Sequence, residues 1–188
     1  ALFRSKQMAV APVSVEGIDA RQIAENLSKA IRIKTISFQD PALFDGQAFR
    51  AFHRLLETSF PRVHKTLSRE TVNEYSLLYT WKGSDPGRRP ILLLGHIDVV
   101  PVESGTEKDW THPPFSGAIA EGYIWGRGAL DIKVNVMGTL EAVEHLLGRF
   151  GWHVLLGQRL LELMPGAVVH AQLPQSYLAC HGHRIGVR

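Results

Sequence analysis

The sequence predicts an α/β domain of three layers, α/β/α, with helices packed on a sheet. Three observations predict this class: helical stripes come first, runs of strand-forming residues follow, and a strand, a loop, a strand and a helix close the pattern. The chain of 188 residues has the length of a single domain, and its 45% hydrophobic content is ordinary for a folded globule.

The first helix is predicted to begin at Asp19. Gln22 follows three positions later, in the manner of a capping box, and Ile23, Leu27 and Ile31 then recur at helical spacing. Such an apolar stripe is expected to lie in the core rather than at a binding surface.

A second helix is predicted over residues 46–59. Phe49, Phe52 and Leu56 form one apolar stripe within it, and Pro61 is expected to end it. This stripe too is interpreted as core.

After the second helix the hydrophobic period changes, and two short strands are predicted. Val63, Lys65 and Leu67 alternate in one extended run, and residues 75–81 form another that is rich in strand-forming side chains. Residues 83–87 carry the glycine, proline, serine and aspartate of a turn.

The next strand is an uninterrupted apolar run, residues 91–95, which we expect to be buried on both faces of the sheet. A long loop leads from it to a further strand near residues 119–125. A helix of about four turns is then predicted from its apolar stripe, Val136, Leu140, Val143 and Leu147.

Residues 149–188 differ in composition from residues 1–148 and are predicted to be a divergent, basic, histidine-rich tail. They hold four arginines and one glutamate, so they carry the whole net charge of +3, together with four of the nine histidines. A short helix at 152–164 and an extended piece at 167–170 are expected within them. The change at 148 is typical of an alternative exon or a shifted reading frame.

Composition also limits the class of function. The arginines form no block, so nucleic-acid binding is not expected. The apolar runs fall short of the roughly 18 to 20 residues that span a bilayer, so no transmembrane helix is expected. Cys180 is the only cysteine, which excludes a thiolate-rich metal site. No compartment is assigned; a secreted or anchored protein is consistent with the sequence if a segment before Ala1 has been removed.

His96 and Asp98 follow the apolar strand and predict a metal site at its end. Side chains two residues apart point to the same side, so Asp98 is placed to accept the proton on one nitrogen of His96 and leave the other for a metal. Asp131 follows one βα unit later and is placed to bridge two cations. A lone histidine here is more often structural, but the second segment favours the metal, zinc first.

Three motifs carry a resemblance to a known family: residues 95–101, 110–117 and 124–133. In this order they resemble the di-zinc aminoacylase and carboxypeptidase superfamily, and most of all its carboxypeptidase S branch, over residues 1–148. The resemblance implies that His96 is a ligand of one zinc, that Asp98 is the catalytic aspartate that orients it, and that Asp131 bridges both zincs. It also implies a cis peptide bond after Asp131.

The resemblance implies a function as well. The reaction is the zinc-dependent hydrolysis of an amide next to a free carboxylate, in a peptide or an N-acyl amino acid, with two zinc ions in the full-length family. A rigid loop that walls the metal site is favoured over direct substrate contact for four residues of the second motif, Trp110, Pro113, Pro114 and Phe115. Arg127 is interpreted as a structural donor or a helper near Asp131, and Lys133 as a solvated side chain of the first helical turn; both are left outside the site.

The chain departs from the family pattern after Asp131. Family members continue to two adjacent glutamates, further ligands and a lid domain with dimer contacts, whereas the only later acidic residues here are Glu141, Glu144 and Glu162. We expect Glu141 and Glu144 on the solvated face of their helix. The prediction is an N-terminal part of the catalytic domain, without the lid and dimerisation domain.

The expected consequence is partial or weak zinc binding and no activity of this chain alone, with a homodimer only in full-length relatives. The alternative interpretation is a non-catalytic fragment, or a splice or frameshift product, that keeps part of the metal site. A small zinc module at Cys180, His181 and His183 is a third interpretation, but incidental histidines in a basic tail are favoured because no carboxylate or second cysteine accompanies them.

Overall fold

Helices and strands follow one another in mixed order in the computed structural model, which describes residues 16–83, 85, 87–150 and 167–172. Short 3₁₀ turns lie at Pro41–Leu43 and Glu107–Asp109. The described elements, in chain order, are α1 (Ala20–Arg32), α2 (Gly46–Ser59), α3 (Pro61–Thr66), β1 (Ser68–Val72), β2 (Ser76–Trp81), β3 (Ile91–His96), β4 (Ala118–Ala120), β5 (Tyr123–Trp125), α4 (Lys133–Phe150) and β6 (Ala167–Gln172). The predicted α/β class is confirmed.

The first two helices begin where the sequence predicts, and an aspartate caps each of them. The carboxylate of Asp19 accepts from the backbone N–H groups of Arg21 and Gln22, at 3.1 and 3.0 Å, and Asp45 caps α2 in the same way. The side chain of Gln22 donates to Asn26 instead of closing the capping box. One carboxylate per helix is therefore enough to fix both starts.

The extended run predicted at Val63 is wrong, because Pro61–Thr66 is the helix α3. Proline is favoured at the first helical position, where its missing N–H is not needed. The carboxylate of Glu144 accepts from the free N–H groups of Arg62 and Val63, at 3.1 and 2.9 Å. Glu144 is thus buried, at 8% exposure, and its predicted place on the solvated face is wrong.

The main sheet has the order β1-β2-β6-β3. β2 pairs antiparallel with both β1 and β6, and β3 pairs parallel with β6. The extended piece predicted at 167–170 is confirmed as part of β6, whereas the helix predicted at 152–164 lies outside the described residues. A strand from the predicted tail therefore lies inside the sheet.

β3 forms where it is predicted, but its predicted burial is wrong. Residues 91–94 keep between 39% and 60% of their surface exposed within the described part of the chain. The end of the strand is the part that packs on α4, since a Cβ at Gly95 would lie 2.7 Å from a methyl carbon of Val136. An apolar run alone does not specify which elements cover it.

The single strand predicted at 119–125 is also wrong, because β4 and β5 form a separate antiparallel hairpin. Glu121 and Gly122 turn the chain between them with positive φ angles of 56° and 80°. Two successive residues of this kind produce the tight turn that matches the twist of paired strands.

One hydrophobic core lies between the four helices and one face of β2, where Leu77 and Tyr79 point inward. The predicted stripe of α4 is confirmed, because Val136, Leu140 and the residues that continue it are buried. Within the described residues, none of the helices combines the length and the hydropathy that a membrane crossing requires.

Candidate metal centre

The structure brings the three predicted site residues together. His96 ends β3, Asp98 lies two residues later, and Asp131 precedes the first residue of α4 by two positions. The Nδ1 atom of His96 lies 3.2 Å from Oδ1 of Asp98 and 3.0 Å from its backbone oxygen. The other ring nitrogen, Nε2, lies 3.4 Å from Oδ1 of Asp131.

These distances favour one tautomer of His96. Two oxygens of Asp98 face Nδ1, so the ring proton is stabilised there and Nε2 is left with its lone pair. The lone pair then faces a carboxylate oxygen of Asp131, and two such acceptors repel each other at 3.4 Å unless a proton or a metal ion lies between them. The arrangement therefore suits a cation.

The two carboxylates have opposite environments. The side chain of Asp98 is only 6% exposed, and burial raises its pKa while hydrogen bonding to Ser37 and the charge of His96 oppose that rise. The side chain of Asp131 is 83% exposed. Asp98 thus lies behind the histidine, and Asp131 is open to an incoming ion.

The chain segment after α1 holds Asp98 in place. The hydroxyl of Thr35 donates to the carbonyl of Ile97 at 2.6 Å, and the N–H of Val99 donates to the carbonyl of Thr35 at 2.8 Å. Ile36 and Val99 pair as a parallel bridge, and the N–H of Ser37 donates to the carbonyl of Val99 at 3.0 Å. Hydrogen bonds therefore fix the backbone of both chain neighbours of Asp98.

The loop before Asp131 packs tightly against that segment. Gly126 and Gly128 have φ angles of 146° and 90°, and a Cβ at Gly128 would lie 2.7 Å from a methyl carbon of Val99. Both conditions require glycine at position 128. The peptide bond between Asp131 and Ile132 is cis, which confirms the expectation drawn from the resemblance.

Lys133 was expected to be solvated, and this expectation is wrong. Its side chain is fully buried, and Nζ donates to the carbonyls of Ala30 and Ile33 at 2.9 and 2.6 Å. Nζ also lies 5.2 Å from the centre of the Phe52 ring. Burial lowers the pKa of Lys133 to about 7, and the charge of Asp98 opposes this shift.

The sequence does hold a signal for Lys133. Position 133 lies three residues before Val136 and seven before Leu140, so helical periodicity places it on the buried stripe of α4. The same stripe continues through Glu144, four residues after Leu140. A charged residue in phase with an apolar stripe therefore indicates a buried, partnered side chain.

The loop predicted to wall the site is tied to the hairpin. The N–H of Arg127 donates to the carbonyl of Pro114 at 2.6 Å, and its guanidinium lies 5.1 Å from the ring centre of Trp110. The ring of His112 meets that of Trp125 edge to face at 5.1 Å. The backbone of Arg127 therefore donates to the loop, whereas Nε of its side chain is buried without a hydrogen-bond partner among the described residues. The wall stays a prediction.

The donor atoms fit zinc at one edge of a coordination tetrahedron. Zinc bonds of about 2.0 to 2.2 Å at the tetrahedral angle place two ligand atoms about 3.3 to 3.6 Å apart. Nε2 of His96 and Oδ1 of Asp131 lie 3.4 Å apart. Within the described part of the chain, no group of three histidine, cysteine, aspartate or glutamate side chains is arranged to hold a metal ion.

A cleft of about 850 Å³ lies elsewhere, between α1, α2 and α4, and Gln22, Arg62 and Glu141 are among its lining residues. Neither His96 nor Asp131 lines it. The donor geometry, rather than the size of a cleft, identifies the candidate metal centre, because metal ligation depends on donor atoms at bonding distance.

Comparison with known proteins agrees with the sequence motifs. The family model for "Peptidase family M20/M25/M40" matches residues 92–156, which include all three site residues. "Probable carboxypeptidase S-like 2" of Dictyostelium discoideum is 47% identical over 155 residues, which cover 78% of this chain and 30% of that protein. Carboxypeptidase S of Saccharomyces cerevisiae is 43% identical over 132 residues, 65% of this chain and 23% of its own length.

A third relative carries a different name. The N-fatty-acyl-amino acid synthase/hydrolase PM20D1 of Bos taurus is 45% identical over 127 residues, 66% of this chain and 24% of that protein. The chain thus spans less than a third of the length of these curated relatives.

Solved structures share the fold. The M20 family metallo-carboxypeptidase of Sulfolobus solfataricus superposes with a TM-score of 0.56 at 21% identity, over 82% of this chain and 31% of that one. Human carnosine dipeptidase 1 superposes with a TM-score of 0.53 at 20% identity, over 81% of this chain and 31% of that one. The motifs, the relatives and the fold agree: this chain is similar to the peptidase M20/M25/M40 family, and it spans only part of that family's fold.

Proposed function

We propose that this chain supplies part of the di-zinc centre of a hydrolase that cleaves amide bonds next to a free carboxylate. The observation that carries the proposal is the 3.4 Å separation of Nε2 of His96 and Oδ1 of Asp131, with the buried Asp98 behind the histidine. The names of the relatives, carboxypeptidase S and N-fatty-acyl-amino acid synthase/hydrolase, support a peptide or an N-acyl amino acid as the substrate.

Each of the three residues has a proposed role. His96 and Asp131 would hold zinc, with Asp131 as the carboxylate shared by two ions, and Asp98 would keep the ring of His96 in the tautomer that leaves Nε2 free. When bound there, zinc would supply Lewis-acid chemistry that activates water and polarises the carbonyl under attack. Because Asp131 is exposed and Asp98 is buried, the substrate approaches from the side of Asp131.

We also propose that the chain by itself binds zinc weakly and does not hydrolyse substrate. After Asp131 the sequence has no two adjacent acidic residues to act as general base and ligand. A positioned general base contributes on the order of 10² to 10⁴ in rate. The proposed boundary stays at 148, with residues 1–148 as the catalytic part and 149–188 as a divergent tail that lends β6 to the sheet.

A second candidate is a non-catalytic chain of this fold. It is favoured by the absence, among the described residues, of any group of three side chains that could complete a zinc site. Such a chain would bind a longer relative or no partner, whereas the first candidate assigns hydrolysis to a longer chain that completes the zinc centre. The two candidates therefore differ in the role of the zinc ligands and not in fold.

Titration of the metal-free chain with zinc in a calorimeter tests the proposal. We expect weak binding by the unaltered chain and at least tenfold weaker binding by H96N and by D131N, since each removes one ligand. D109N is the matched control, because Asp109 is an exposed aspartate at the end of the 3₁₀ turn Glu107–Asp109 and is not among the assigned ligands. Equal binding by all four proteins would contradict the assigned ligands.

A hydrolysis assay tests the proposal that the chain alone has no activity. The chain is incubated with N-acyl amino acids and with peptides, in zinc and in zinc with a chelator. No turnover in either condition is expected. Two tight zinc sites together with chelator-sensitive hydrolysis would show that the chain completes its own catalytic centre, and would contradict both the proposed inactivity and the non-catalytic candidate.

A further inference from the structure

We infer that Lys133 is a positioning residue that sets the separation of His96 and Asp131 by joining the two chain segments that carry them. The inference rests on the proposed function, because it concerns the same pair of ligands. It assigns to Lys133 a role toward the metal site that goes beyond filling the core.

The first step is the environment of the ammonium group. Lys133 is fully buried, and Nζ donates to the carbonyls of Ala30 and Ile33 at the C-terminal end of α1. A helix end presents carbonyls that lack partners within the helix and carries a partial negative charge. The ammonium group therefore binds the end of α1 through two hydrogen bonds and a favourable charge.

The second step connects the end of α1 to His96 and Asp98. Ile33 is followed at once by the segment of residues 34–37. This segment binds residues 97–99 through the hydroxyl of Thr35 and through the two backbone hydrogen bonds of the parallel bridge between Ile36 and Val99. The group that fixes the end of α1 thus fixes the backbone on which Asp98 lies, and the backbone oxygen of Asp98 lies at hydrogen-bonding distance, 3.0 Å, from Nδ1 of His96.

The third step connects Lys133 to Asp131. The two residues are separated by a single position, and the N–H of Lys133 donates to the carbonyl of Gly128 at 3.0 Å. The side chain of Lys133 also lies against Gly128, where a Cβ would come within 3.3 Å of the lysine Cδ. Lys133 therefore closes the loop that ends in Asp131 through its backbone N–H, and it binds the C-terminal end of α1 through its side chain.

Together these contacts connect Lys133 to both ligands along two separate routes. One route runs from Nζ of Lys133 through the end of α1 to Asp98 and His96, and the other runs along the backbone from Lys133 to Asp131. The two routes end at Nε2 of His96 and Oδ1 of Asp131, which lie 3.4 Å apart. Loss of the ammonium group breaks the first route, so this distance is no longer fixed.

The test uses nitrogen NMR of the histidine rings in the metal-free, 188-residue chain, with H96N to assign the signals of His96. The variant is K133M, which keeps the length of the side chain and removes its donors. We expect the ring signals of His96 to shift or broaden in K133M. The matched control is L147A, a core truncation on the same helix about 20 Å away at about 1.5 Å per residue.

Zinc affinity is the second measurement. We expect K133M to bind zinc about 10- to 100-fold more weakly than the unaltered chain, the range seen when groups that orient metal ligands are removed. L147A should bind as the unaltered chain does, once the folded fraction is corrected by denaturation. A loss of stability with unchanged His96 signals would overturn the inference and leave Lys133 as a core residue only.

Two further outcomes keep the inference separable. If K133M does not fold, K133Q retains one donor on a shorter stem, and unchanged His96 signals in K133Q would overturn the inference. If the unaltered chain binds no zinc, the proposed function fails, while the His96 signals still decide the role of Lys133. If K133M binds zinc as the unaltered chain does, the inference fails and the proposed function stands.

Discussion

Three acidic or basic side chains of one site differ sharply in their exposure. Asp98 is 6% exposed at its side chain, His96 is 39% exposed and Asp131 is 83% exposed. A buried carboxylate is held by its surroundings and suits the task of orienting a neighbour, whereas an exposed one is free to bind an ion. Exposure thus increases from Asp98, which orients the histidine, to Asp131, the proposed metal ligand.

At this scale we predict the effect of D98N. The substitution keeps the size of the side chain and removes the negative charge that faces Nδ1 of His96. Zinc affinity is expected to fall about 10- to 100-fold, because the charge stabilises the ring proton opposite the metal. Competition with a chromophoric chelator measures it. The control is D109N, and equal affinities for both variants would show that Asp98 does not act through His96.

The site residues are predicted from the sequence more fully than their support. The spacing of His96 and Asp98 and the position of Asp131 are enough to expect one cluster, because strand ends and the following helix meet at one edge of a sheet. Lys133 is not found in this way, since a lysine in a first helical turn is normally solvated. The sequence signal for its burial is its helical spacing from the apolar residues of α4, which places Lys133 on the same face.

Among the elements, α3 depends on a side chain from a distant part of the chain. Glu144 of α4 accepts from the N–H groups of Arg62 and Val63, and its carboxylate also lies 3.3 Å from the guanidinium of Arg62. A helix of six residues satisfies few of its own terminal groups. The packing of α4 therefore supplies the cap that the local sequence lacks.

At the scale of elements we predict the effect of E144Q. The substituted side chain would present an amide N–H₂ where one carboxylate oxygen of Glu144 now accepts from Val63, so one buried donor loses its acceptor. The free energy of unfolding is expected to fall by about 1 to 3 kcal/mol, measured by urea denaturation. The control is E25Q, which breaks an exposed pair with Arg21 and should change stability by less than about 0.5 kcal/mol. Equal effects would contradict the capping role.

Elements with a strong local signal are predicted to within a residue. Asp19 and Asp45 cap α1 and α2, and each helix begins at the next residue. By contrast, α3 is too short for three alternating residues to distinguish it from a strand. The hairpin at Glu121 lacks an asparagine or aspartate before its glycine, so the turn is not evident from the sequence.

For the whole molecule, the distribution of apolar surface is uneven. The core is concentrated between the helices and the inner side of β2, whereas residues 91–94 of β3 remain exposed in the described part of the chain. β3 is also at the edge of the sheet order β1-β2-β6-β3. An exposed apolar edge strand is a site of self-association.

At this scale we predict opposite results for L94K and L77A. Leu94 is 60% exposed, so L94K should change the free energy of unfolding by less than about 0.5 kcal/mol and should reduce self-association, measured by light scattering. Leu77 is fully buried, so L77A should lower the free energy of unfolding by about 2 to 5 kcal/mol. A loss in L94K as large as in L77A would show that β3 is packed in solution.

The class of the fold follows from the sequence, but the order of its strands does not. Alternating helical and extended patterns are enough for α/β, because each pattern is local. The position of β6 depends instead on pairing with β2 and β3, which precede it by about 70 residues or more and leave no periodic trace in residues 167–172.

The central position of β6 has a consequence for how the chain is made. Translation proceeds from the N-terminus, so β2 and β3 emerge long before the strand that separates them. During that interval β3 has no hydrogen-bonded strand beside it, and its backbone groups are satisfied by water. The sheet is completed only after Gln172 has left the ribosome, and the backbone on which His96 lies gains its partner strand at the same moment.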